Sequence, residues 1–352
     1  MRVSISLDSN GSLGFPPTRC TVKPEATFSM TEVLIPIWQR VLQLSSVRVD
    51  DDFFDLGGDS SLALQLFNEI AQVCDREIPP VTIYQARTIT ALAALLEQPV
   101  PPRFPSLVLL KAGAKQLPVF LAHGLGGTVM DFFQLARCIE SHHPIYGMQA
   151  MGMDGLDEPL ERVEDMAQFH LDAIRELQPY GPYLLVGYSL GGLVALEMAQ
   201  RLSANGEKIA LLAMLDAYPN IRYLSLGQQI RLATRQAKRR LYALGGLRGG
   251  APFQPPVGAS FTPAMQRVRN SAELALTRYR PRFYPGKIKF VRAEISSKFP
   301  DDAVAVWAPL ADEFEVETVP GDHLGMMATH FESLASVLSR YLEEAFADSR
   351  IS

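Results

Sequence analysis

Tyr183-Leu184-Leu185-Val186-Gly187-Tyr188-Ser189-Leu190-Gly191-Gly192 runs from an apolar stretch through a glycine-flanked serine into Leu193-Val194-Ala195-Leu196-Glu197-Met198-Ala199. This is a strand, a sharp turn and a helix. A serine in Gly-x-Ser-x-Gly at such a turn is a nucleophile elbow. The tightness of the turn demands small neighbours and projects the Ser189 hydroxyl from the sheet edge. The helix that follows aims its N-terminal N–H groups at the same point, where they stabilise negative charge. The motif alone would also suit a plain structural turn; the flanking strand and helix favour the nucleophile.

Working outward, further short apolar runs alternate with helical patterns. Val119–Ala122, Ile145–Met148, Ile209–Leu215, Ile288–Val291 and Phe314–Glu317 read as strands. Residues near 128–140, 163–177, 191–204 and 331–346 read as helices. Such alternation predicts a mostly parallel sheet covered on both faces. Residues 220–280 interrupt the rhythm and are too long for an ordinary connection. Arg222, Arg231, Arg235, Lys238, Arg239, Arg240 and Arg248 make this stretch basic, and Leu224, Leu226, Ile230, Leu232 and Leu241 give it an apolar side. A helical lid over a cleft is expected, with a solvated amphipathic helix pair as the plainer alternative.

A serine hydroxyl needs a base. His323, in Pro320-Gly321-Asp322-His323-Leu324, follows the last strand in a loop that can reach the sheet's carboxyl edge. His142 and His143 precede a strand and read as surface residues, His170 lies in a mixed polar and apolar helix, and His330 leads into the last helix. The base needs an acid to orient it. Asp216 ends the run Leu211–Leu215, one helix and one strand after Ser189; Glu294, after the next strand, is the rival, and Asp322 reads as a loop residue. The turn His123-Gly124-Leu125-Gly126-Gly127 closes the first strand and can aim a backbone N–H at an oxyanion. Either Gly124 or Leu125 supplies that donor, and Leu190 N–H supplies the other.

The first third has a different grammar. Val33, Leu34, Ile37, Val41 and Leu44 recur at helix spacing, a second helix starts at Leu62 just past Asp59-Ser60, and Ile89, Leu92, Ala93 and Leu96 make another. Gln98 to Pro105 holds four prolines in eight residues, a semi-stiff spacer of roughly 25 Å when extended. The expected division is a flexible leader at 1–28, a small all-α unit at 29–98, a Pro-rich linker at 99–106 and the α/β unit at 107–350 with its lid at about 220–280.

Composition narrows the function classes. The 352 residues carry a net charge of −5, with 47% hydrophobic and 20% charged residues, an ordinary globular profile without a basic footprint for nucleic acid. No signal peptide or membrane span is expected, and Cys20, Cys74 and Cys138 fit buried thiols in a reducing cytoplasm. No metal site is expected.

Two resemblances rest on these motifs. Residues 106–348 resemble the type I thioesterase domain that ends nonribosomal peptide synthetases and polyketide synthases, on His123–Gly127, Gly187–Gly192, Leu215-Asp216-Ala217-Tyr218 and Gly321-Asp322-His323. That implies an α/β-hydrolase fold with a helical lid, Ser189, Asp216 and His323 as catalytic residues, and release of an acyl group by hydrolysis or macrocyclisation. Residues 30–97 resemble a peptidyl carrier domain, on Asp51-Asp52-Phe53-Phe54-Asp55-Leu56-Gly57-Gly58-Asp59-Ser60. That implies a four-helix carrier with a 4′-phosphopantetheine arm on Ser60, although Asp-Ser before a helix is otherwise an ordinary N-cap. The implied partners are upstream adenylation and condensation domains or proteins and a phosphopantetheinyl transferase, with the chain itself a monomer. The alternative is a carrier and docking module whose thioesterase half edits mis-primed arms or is inactive; a free lipase or esterase with an unrelated helical unit is a further one.

Overall fold

The computed structural model describes residues 29–74, 78–98, 105–114, 117–234, 262–295, 300 and 302–349. The expected leader at 1–28, the proline-rich 99–104 and the middle of the expected lid, 235–261, lie outside the described residues.

The first unit comprises α1 (Met30–Leu42), α2 (Ser60–Cys74), a 3-10 helix (Pro80–Tyr84) and α3 (Ile89–Leu96). Four helical segments are present, as expected, but the third is 3-10. Pro79 and Pro80 stand at its N-cap and first position, where a missing N–H is tolerated, and they keep it from extending backwards. A capping box opens α1: Glu32 N–H donates to Ser29 Oγ and Ser29 N–H to Glu32 Oε2. Leu34, Ile37, Trp38 and Val41 bury one stripe of α1 against Phe53, Leu66, Phe67, Ile70 and Leu92.

The second unit is a seven-stranded sheet in the order β1-β3-β2-β4-β5-β6-β7. Its strands are β1 (Leu107–Lys111), β2 (Val119–Ala122), β3 (Ile145–Met148), β4 (Tyr183–Tyr188), β5 (Ile209–Leu215), β6 (Tyr284–Ile295) and β7 (Ala311–Asp322). All neighbours are parallel except β1, which runs antiparallel to β3. The helices are α4 (Phe132–Cys138), α5 (Val163–Leu177), α6 (Leu190–Ala204), α7 (residues 226–234), α8 (Pro263–Arg278), α9 (Ala303–Trp307), α10 (Gly325–Ala328) and α11 (Phe331–Ser349).

Period-two alternation assigns each strand side chain to a layer. Leu184 and Val186 of β4, with Leu211, Ala213 and Leu215 of β5, face α4 and α11. Leu185 of β4, with Leu212 and Met214 of β5, faces α5 and α6. β4 is buried along its whole length because both faces are covered. Its carboxyl end and that of β5 are thereby held rigidly at the sheet edge where the site lies.

Among the described residues, no helix is long and apolar enough to cross a membrane. His143 departs from its surface reading: it is buried, its Nδ1 lies 2.8 Å from the Leu117 carbonyl, and its ring stacks on Phe346. The cover comes from α11, about 200 residues on, which no local pattern around His143 reports.

Candidate active site

The elbow is strained as the sequence anticipates. Ser189 adopts φ 55°, ψ −121°, and Asp216 also has a positive φ, 45°. Each costs on the order of 1–3 kcal/mol and persists only where surroundings over-determine it. Here the ladder does so: Ser189 N–H donates to the Leu215 carbonyl at 2.9 Å and Asp216 N–H to the Val291 carbonyl at 2.7 Å. The flanking glycines are sterically required. A Cβ on Gly187 would stand 2.1 Å from the Gly191 carbonyl oxygen, and one on Gly191 would stand 2.3 Å from that of Ala122.

Three side chains form a hydrogen-bonded row. His323 Nε2 lies 3.1 Å from Ser189 Oγ, and His323 Nδ1 lies 2.8 Å from Asp216 Oδ2. Asp216 Oδ1 accepts from Ala293 N–H at 3.2 Å. The carboxylate is 3% exposed, so little water competes for it. Trp307 Nε1–H donates to the Ala217 carbonyl and holds the loop just past the acid. With Nδ1–H donated to Asp216, Nε2 is left as an acceptor facing the Ser189 hydroxyl. Glu294, the rival acid, is exposed on β6, and Asp322 accepts from Gly325 N–H at 2.8 Å as part of a turn.

The structure adds supporting residues that the sequence reading did not single out. Tyr188 Oη–H donates to the His323 carbonyl at 2.5 Å, and its ring stacks on the imidazole with centroids 4.9 Å apart. Burial, reinforced by the charges of Asp131, Asp216 and Asp322, raises its pKa well above the usual tyrosine value, so it remains a donor. The aromatic residue just before Ser189 is the available signal in the sequence. Glu197, 1% exposed on α6, accepts from Arg201, Arg282 and Tyr279 and so ties the segment after α8 to the helix that follows Ser189.

His123 and His170 are each 1% exposed, with ring centroids 5.5 Å apart. Burial lowers both pKa values below 6.5, that of His170 well below, with the charge of His123 adding to it. The unfolded chain titrates both near 6.5, so between the folded and unfolded values it binds more protons than the native state. Their contribution to stability is therefore full above about pH 6.5 and is lost as pH falls towards the folded values. Urea midpoints should drop between about pH 7.5 and about pH 5.5, and the drop should shrink in His170→Phe. A variant with an undiminished pH dependence would contradict this assignment.

The helical unit meets the site region through α2. Leu64, one turn past Ser60, packs with Met153, Met265 and Val268, and Val268 also crowds Gly127 in the turn after β2. Tyr84 stacks on Phe133 at the start of α4, with centroids 3.3 Å apart. The Ser60 side chain itself lies outside the described part. Its surroundings fit a phosphorylated arm. Asp59 Oδ1 accepts from Leu62 N–H at 2.8 Å, Ser60 opens the 15-residue α2, and nothing stands within 4 Å of where a Cβ on Gly57 would project. An open approach at a helix N-terminus suits a phosphate diester.

The sheet order, the elbow and the row from serine to acid are those of an α/β-hydrolase. The family described as thioesterase domain matches residues 117–342, more than half of the chain, and the chain belongs to that family. The family described as phosphopantetheine attachment site matches residues 32–96. Among curated relatives, a dimodular nonribosomal peptide synthase of Bacillus subtilis (strain 168) is 40% identical over 54% of this chain and 8% of its own length. An indigoidine synthase of Dickeya dadantii (strain 3937) is 36% identical over 52% of this chain and 12% of its own. The chain thus spans a small fraction of the relatives it matches. A solved four-domain nonribosomal peptide synthetase, in holo form with AMP and glycine, aligns over 95% of this chain and 28% of its own, with a TM-score of 0.58 and 22% identity. That likeness concerns the fold.

Proposed function

We propose that this chain is a carrier–thioesterase didomain of nonribosomal peptide biosynthesis, which holds an aminoacyl or peptidyl thioester at Ser60 and releases it through an ester on Ser189. Residues 29–98 form the carrier and 107–350 the thioesterase. The observation that carries the reading is the row Ser189–His323–Asp216, set beside the cluster that receives α2.

A phosphopantetheine arm on Ser60, when attached, supplies the thiol that carries the acyl group. The chain's own residues do the rest. His323 Nε2 takes the Ser189 hydroxyl proton as Oγ attacks the thioester carbonyl, and Asp216 steadies the imidazolium. Leu190 N–H, with a donor from Gly124 or Leu125, holds the oxyanion. His323 returns the proton to the departing thiolate. Water, or an amine or hydroxyl within the acyl chain, then gives its proton to His323 and attacks the ester; the bond to Ser189 Oγ breaks, His323 returns the proton to that oxygen, and a free acid or a ring leaves. Dividing the transfer into two steps lowers each barrier.

The implied partners are upstream adenylation and condensation domains and a phosphopantetheinyl transferase, with the chain working as a monomer in the cytoplasm. Treatment with coenzyme A and a transferase should add one phosphopantetheinyl group at Ser60. Subsequent acyl loading should show the acyl mass moving to Ser189 before it is lost. Acyl release with no acyl mass ever on Ser189 would refute the covalent route.

A further inference from the structure

We propose that His123 is a positioning residue of the oxyanion loop: its imidazole holds the Gly124 carbonyl so that Leu125 N–H, and not Gly124 N–H, meets the reacting oxygen. This rests on the acyl-enzyme reading of Ser189.

Two donors converge on the Gly124 carbonyl: His123 Nδ1 at 2.7 Å and Gly127 N–H at 3.1 Å. Nδ1 faces an oxygen, so it carries the ring proton. In a planar trans peptide the N–H points opposite the C=O. The bond from His123 therefore directs Leu125 N–H away from the ring. The preceding peptide is oriented the other way. The His123 carbonyl faces the first turn of α6, since a Cβ on Gly191 would stand 2.4 Å from its oxygen. Gly124 N–H consequently points away from that turn, where Leu190 N–H lies. Gly124 itself adjoins the nucleophile: a Cβ on it would stand 3.8 Å from Ser189 Cβ. Of the two candidate donors, only that of Leu125 is free to face the oxyanion.

The back of the ring is also defined. With Nδ1 protonated, His123 Nε2 is an acceptor. It is buried without a partner among the described residues, and so is His170 Nδ1. Both rings line a cavity of about 10 Å³, together with Met166 and Phe169 of α5 and Ala272 of α8. That volume accommodates one water centre. A single water there would bridge the two unpartnered ring nitrogens, accepting from one and donating to the other.

The test compares His123→Asn with His123→Gln in the full chain. The Asn amide nitrogen sits where Nδ1 does and can donate to Gly124; the Gln amide nitrogen sits at the place of Nε2 and cannot. The readouts are kcat and KM on acetyl- and octanoyl-N-acetylcysteamine thioesters, and inhibition by phenylboronic acid, whose Ser189 adduct uses the same N–H groups. An oxyanion donor is worth about 10²–10³ in kcat, so His123→Gln should lose about 10²-fold in kcat with KM within about twofold, and bind the boronate correspondingly less tightly. His123→Asn should stay within about fivefold of wild type in kcat and boronate affinity. Equal losses in both variants, or a Gln variant with undiminished kcat, would overturn the role of His123. A wild-type chain whose Ser189 takes up no fluorophosphonate would instead overturn the acyl-enzyme reading beneath it.

Discussion

Ser189→Ala should leave the acyl group on the carrier. With a loaded arm, intact-protein mass spectra should show the acylated form persisting, and kcat should fall on the order of 10⁶-fold. The reason is structural as well as chemical. His323 Nε2 is spaced at 3.1 Å from Ser189 Oγ, and its other nitrogen is already bonded to Asp216, so the base has been oriented for that one hydroxyl. The residual rate comes from binding and the oxyanion donors, which remain. Folding should be preserved, because Ser189 makes no side-chain cap to α6 and alanine meets the same backbone conformation. Release at the wild-type rate from the alanine variant would place the chemistry elsewhere.

Asp216→Asn should lower kcat by about 10⁴-fold while thermal unfolding shifts far less dramatically. The two oxygens of Asp216 serve different donors, His323 Nδ1–H and Ala293 N–H. An asparagine can offer oxygen to only one of them. If it satisfies the buried Ala293 N–H, its amide group faces His323 Nδ1, which must then accept. The ring proton moves to Nε2, and the imidazole can no longer take the proton of Ser189. Glu294→Gln should leave kcat within about twofold, since Glu294 stands exposed on β6. Parallel kinetics on the two variants decide between the acids: a severe loss in Glu294→Gln with a mild one in Asp216→Asn would reverse the assignment.

Much of the site could be read locally because strand–turn–helix chemistry is local. Gly187 and Gly191 are where the strand and helix backbones approach within reach of one missing methyl, and small residues there are a requirement visible in one dimension. Asp216 and His323 were legible as polar residues at strand ends, which a parallel sheet brings to a common edge. Strand β1 is not legible in the alternation because it directly follows the proline-rich stretch and pairs antiparallel at the sheet edge, with no helix between it and β2. The 3-10 segment of the carrier is five residues long, too short to show a helical period.

The remaining features depend on contacts between residues far apart in the chain. His143 and His170 look like surface or mixed-face residues until α11 and α8 cover them. Tyr188 becomes a support for His323 only when residues 135 positions apart meet. The proposed choice of Leu125 over Gly124 rests on which way two successive peptide planes face, and the contacts of His123, Gly127 and Gly191 that orient them come from different parts of the chain. Residue types and spacing specify which groups are available and which edge they reach. Orientation, burial and proton placement arise from packing, because a hydrogen bond depends on angle and on the exclusion of water, and neither is written in the order of residues.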